Sequence, residues 1–149
     1  MIIGSLLVVS LFSSCALLFG GLFLRYDDGT LSGTVNGESW TLATGIIDSS
    51  GYFDLYGTTV TDPCNWLSTT PDDYVMGYVP MAVGEYKVGL TQDASITIYA
   101  GGVNYIMTKS QAKIEILTIT DTEVTGQLVA EGDDDNTISG QFTLTICTD

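Results

Sequence analysis

Histidine is absent from this 149-residue chain, and only four basic side chains, Arg25, Lys87, Lys109 and Lys113, stand against 18 carboxylates. Without histidine the chain lacks the commonest general base near neutral pH and the commonest nitrogen ligand for zinc. It also has no G-x-S-x-G elbow, so nucleophilic catalysis of the Ser-His-Asp kind has neither its nucleophile motif nor its base. The net charge of −14 repels phosphate backbones and anionic head groups, which argues against a nucleic-acid partner. Prolines number three and cysteines three, too few for a proline-rich linker or a cysteine-dense scaffold. Charge itself is missing from Met1 to Leu24, and every acidic and basic side chain lies after that run.

An uncharged run of that length is sufficient to cross a bilayer, since an apolar helix needs about 20 residues to span ~30 Å of hydrocarbon. Residues 1–24 are therefore expected to form an apolar helix that is a signal peptide or a membrane anchor. Leu11-Phe12-Ser13-Ser14-Cys15-Ala16 resembles the lipobox of bacterial lipoproteins, in which the cysteine thiol is acylated and cleavage frees its amine. That resemblance makes Cys15 the candidate lipid anchor. Three other readings of the segment stay open: an uncleaved signal anchor through Leu24, cleavage near Gly20-Gly21, and a buried core helix.

About 125 residues follow, the size of one domain with a full core. Residues 25–30 read as a short acidic linker and 31–149 as a β domain. Leu31 to Val35 and Trp40 to Ala43 alternate around Asn36-Gly37, a dipeptide suited to a two-residue hairpin turn. Further strands are expected at Tyr52–Gly57, Tyr74–Val79, Glu85–Leu90, Ser95–Ala100, Val103–Lys109, Lys113–Ile119, Val124–Ala130 and Thr137–Cys147. In the last of these Ile138, Gly140, Phe142, Leu144 and Ile146 share one face. Nine or ten short strands with no interleaved helical pattern predict an all-β antiparallel sandwich or partly closed barrel.

Gly33-x-Val35-x-Gly37-x-x-Trp40 near the start and Gly140-x-Phe142-x-x-x-x-Cys147 at the end resemble the bookends of a family of exported bacterial lipoprotein domains. An internal cysteine and Val124-x-Gly126-x-Leu128 extend the likeness. The resemblance implies a β-sandwich of the cell envelope and transfers no catalytic residue.

With Cys15 lipidated or in the membrane, Cys64 and Cys147 remain as an even pair, expected to form a disulfide in an oxidising compartment. Asp133, Asp135 and Asn136, with Asp134 between them, offer hard oxygen ligands within one turn. They lack the following glycine and distal glutamate of a calcium loop, so a solvated hairpin competes with a weak cation site. Tyr52, Asp54 and Tyr56 share one strand face, with Phe53 and Leu55 on the other and Trp66 on the nearby loop. Amphipathic rings beside a carboxylate suit a sugar-binding surface, while cross-strand packing is the alternative. Tyr74-x-Met76-x-Tyr78 and Trp40 are assigned to the core.

The sequence thus predicts an exported, membrane-tethered, non-catalytic envelope protein without a cofactor, binding a glycan or protein ligand. The alternative is a structural subunit of an extracellular filament or surface layer.

Overall fold

A computed structural model describes residues 24–65, 71–108, 110–133 and 135–148. The expected N-terminal helix, including Cys15, lies outside the described residues, as do Trp66, Lys109 and Asp134. The described chain is all-β, with eleven strands: β1 (Ser32–Val35), β2 (Glu38–Thr41), β3 (Thr44–Asp48), β4 (Tyr52–Tyr56), β5 (Tyr74–Tyr78), β6 (Gly84–Lys87), β7 (Ser95–Ala100), β8 (Val103–Ile106), β9 (Ala112–Ile119), β10 (Glu123–Glu131) and β11 (Thr137–Cys147). Nine of them form one continuous path, β6-β9-β10-β11-β3-β4-β5-β7-β8, and the β1–β2 hairpin branches from β11. Val88 and Ala94, just past β6 and just before β7, form an isolated bridge, so the sheet curls until its first strand reaches its eighth. The architecture is a half-barrel.

Local chemistry accounts for the hairpins. Asn36 and Gly37 take φ of 54° and 73°, and Gly101 and Gly102 take 58° and 79°, the left-handed conformations that tight hairpin turns demand. Along β11 the alternation places Ile138, Phe142 and Leu144 inside the curl, where Ile114, Ile116 and Leu128 meet them from β9 and β10. From the other half come Ile47, Phe53, Leu55, Val75, Ile96 and Ile98, and Trp40 joins the same core. Each fully buried aliphatic side chain contributes about 1.5–3 kcal/mol, so this single interior supplies the main driving force.

Two findings depart from the sequence expectation. First, the sheet is not wholly antiparallel. Thr145, Ile146 and Cys147 at the end of β11 pair in parallel with Ile46, Ile47 and Asp48 of β3. Parallel neighbours need a long connection, and here nearly the whole chain between β3 and β11 provides it. Second, the sequence carries no strand signal for β3. Gly45 interrupts it and Ile46 and Ile47 stand side by side, so no alternation marks it. Ile47 enters the core while Ile46 faces outward and is half-buried.

The stretch ahead of β1 is bound to the domain. The Asp27 amide donates to Ser139 Oγ at 2.9 Å, the Gln141 amide to the Gly29 carbonyl at 2.7 Å, and the Leu31 amide to the Gln141 carbonyl at 2.7 Å. Gly140 makes this crossing possible: its φ is 136°, and a Cβ there would come within 2.8 Å of Leu31 Cα. Further along, Lys113 Nζ sits 4.0 Å above the Tyr26 ring and 3.6 Å from Glu85 Oε2.

Candidate functional site

The outer face of β3, β4, β5 and β7 is organised by register into three rows. In the central row Ile46, Asp54, Met76 and Thr97 stand opposite one another across the four strands. On one side Tyr52 pairs with Tyr78, their ring centroids 5.3 Å apart. On the other Tyr56, Tyr74 and Tyr99 form a ladder with successive centroids 6.1 and 5.2 Å apart. Strand pleat alone produces this arrangement, because alternate residues point outward and neighbouring strands keep them in line. The result is a valley with a carboxylate on its floor and tyrosines along both sides.

A loop roofs one end. After β4 the Val60 amide donates to Thr44 Oγ1 at 3.0 Å, and Cys64 then bonds to Cys147 at the tip of β11, the Cα atoms 5.4 Å apart. The disulfide expected from the sequence is thus present, and it places Val60, Pro63, Cys64 and Asn65 against the valley. The half-open cavity measures about 450 Å³. That lies within the range of small-molecule sites, which are mostly apolar with a few placed polar groups.

Asp54 is the polar group at its centre. Removal from water raises its carboxyl above the usual carboxylate range; a hydrogen bond from Tyr56 opposes that, and repulsion from Asp48 adds to it. The Tyr56 phenol is pushed up to about 12 by burial, by the Asp54 charge and by the hydrogen bond it donates to Asp54. Tyr74 is raised by burial, and the charge of Asp54 and the neighbouring Tyr99 add to it. Asp48 is already committed, since its Oδ1 accepts from the Ser50 amide at 2.8 Å and the Tyr52 amide at 3.0 Å to close the β3–β4 turn. Among the described residues no lysine or arginine lines the cavity.

The sequence-derived candidates divide accordingly. Tyr52, Asp54 and Tyr56 do share one outward face of β4, with Phe53 and Leu55 in the core. Their exposures differ sharply: Tyr52 is 63% exposed and Tyr56 only 7%. Trp66 lies outside the described residues. Tyr74, Met76 and Tyr78, assigned above to the core, are instead half-buried on the valley side, because the inward residue of β5 is Val75. The signal was available, for Tyr74 to Tyr78 alternates as Tyr52 to Tyr56 does. Thr97 and Ile46 carried no signal, since only the fold lines them up with Asp54.

Asp133, Asp135 and Asn136 occupy one turn far along the chain from this face. Asn136 is buried, its Nδ2 donating to Asp133 Oδ1 at 2.9 Å and its Oδ1 accepting from the Asn36 amide at 3.0 Å. The Asp135 amide also donates to Asp133 Oδ1, at 3.2 Å, and the Gly37 amide donates to the Asp135 carbonyl at 3.0 Å. These groups staple the β10–β11 turn to the β1–β2 turn. Among the described residues no group of three His, Cys, Asp or Glu side chains is placed to hold a metal ion.

Comparison with protein families, with curated proteins and with solved structures returns no match, so the chemistry of this face is what speaks for function.

Proposed function

We propose that this chain is an exported, membrane-tethered envelope protein that acts without catalysis, by binding a ligand in the tyrosine-lined valley. The observation that carries the reading is the cavity itself: a carboxylate withdrawn from water between two tyrosine rows, roofed by a disulfide-tethered loop. Structural packing alone has no need of a half-buried acid, since an apolar residue at position 54 would cost nothing in desolvation. A Cys64–Cys147 bridge suits an oxidising compartment, which fits the export reading of residues 1–24. Lipid attachment at Cys15 or a retained signal anchor would hold the domain at the membrane.

Two measurements test it. Intact mass of the mature native protein reports cleavage, acylation and the disulfide together; an unprocessed chain with no added lipid and both thiols free would remove the envelope reading. Titration of ligand panels against wild type and Tyr52→Ala tests the valley, and equal binding by the two would move the site elsewhere.

A structural role in a filament or surface layer is the second reading, favoured by one observation. Edge strand β8 carries Val103 and Ile106 at 50% and 53% exposure, an apolar sheet edge open to another strand. Concentration-dependent assembly of the full chain, abolished by Ile106→Lys, would support it.

A further inference from the structure

Among the described residues the valley holds charge of one sign. Asp54 lies on its floor and Asp48 near its end, close enough that the two carboxylates repel. Asp48 is occupied by two backbone amides. Among the described residues the Tyr56 hydroxyl, a neutral donor, is what compensates Asp54. A carboxylate withdrawn from water normally takes a cationic partner, and among the described residues this cavity offers none. Of the described cations, Lys113 lies against Glu85 and Tyr26 on the β6–β9 side of the curl, and neither Arg25 nor Lys87 lines the cavity.

We propose that the valley binds a small organic cation, its ammonium group held against Asp54 between the Tyr52–Tyr78 and Tyr56–Tyr74–Tyr99 rows. This rests on the valley being a binding site and goes further by assigning the sign and class of its ligand. Three features converge on that class. Tyrosine rings attract cations through their electron-rich faces, an interaction that strengthens when water is excluded. Apolar walls from Ile46, Met76 and Val60 suit the alkyl groups of a substituted ammonium. The net charge of −14 raises the local concentration of cations at the surface and speeds their encounter. A cavity of about 450 Å³ accepts a single small molecule of this kind.

The test uses the full-length chain and three probes followed by calorimetry and by tyrosine fluorescence: choline, its uncharged carbon isostere in which a tert-butyl group replaces the trimethylammonium, and maltose. Choline is expected to bind, and the isostere to bind about tenfold more weakly or not at all. Asp54→Asn should weaken choline by a similar factor and leave the isostere unchanged. Tyr52→Ala, at an exposed position that keeps the fold, should weaken choline as well. Equal affinity for choline and its isostere, or choline binding indifferent to Asp54→Asn, overturns the inference. Maltose binding that Tyr52→Ala weakens but Asp54→Asn does not would overturn the cation assignment while keeping the valley as a site. Silence of all three probes up to about 10 mM would remove both.

Discussion

Asp54 and Met76 stand directly opposite each other on β4 and β5, so the acid on the valley floor faces a thioether across the strand pair and takes its hydrogen bond from Tyr56. Removal from water disfavours its charged form. Its folded-state carboxyl titrates above the ordinary value of 3.8, so the folded protein holds this proton more tightly than the unfolded chain does. The stabilisation linked to that proton is complete below pH 3.8 and is lost as pH rises through the folded-state value. Asp54→Asn should therefore melt higher than wild type at neutral pH and lose this advantage on acidification. Thermal melts across an acid-to-neutral series check it; a variant less stable than wild type at neutral pH would contradict the desolvation account.

Tyr52 and Tyr56 should part company under substitution. Tyr56 is packed beneath neighbours, and Tyr56→Ala is expected to cost about 3–5 kcal/mol, as for a large aromatic removed from a core. Tyr52 loses only its pairing with Tyr78, so Tyr52→Ala should cost about 1 kcal/mol or less. Urea unfolding of the two variants measures the difference directly.

The Cys64–Cys147 bridge spans a sequence separation of 83, long enough that chain-entropy reasoning assigns it about 4–5 kcal/mol. Reduction, or a Cys64→Ser/Cys147→Ser pair, should lower the melting temperature. It should also weaken any valley ligand, because the loop carrying Val60 and Pro63 loses its tether. Non-reducing peptide mapping with paired titrations distinguishes these effects, and two alkylatable thiols in the folded protein would rule the bridge out.

Asn136 makes a different kind of prediction. Asn136→Ala leaves the Asn36 amide without its buried acceptor and frees Asp133, at an expected cost of about 1–3 kcal/mol. Calcium should not raise the melting temperature of the wild-type protein if Asp133 serves the turn. A clear rise that Asp133→Asn abolishes would restore the cation-site reading of Asp133, Asp135 and Asn136.

Local patterns in the sequence determined a good deal. Alternation located ten of the described strands, and Asn36-Gly37 and Gly101-Gly102 marked their turns, because side-chain period and positive φ are properties of a few adjacent residues. The outward face of β4 and the cysteine pairing were legible too, the first from alternation and the second from counting. Tertiary structure alone decided the rest. Whether β3 exists, that it lies parallel to β11, and that Ile46, Asp54, Met76 and Thr97 fall into one row depend on partners tens of residues away. Tyr74 to Tyr78 and Tyr52 to Tyr56 carry the same alternating pattern, and only the pairing of Val75 with Leu55 shows both inward rows entering one core. Periodicity records that a strand has two faces; which face meets the core and which meets a roofing loop is settled by what the rest of the chain brings against it.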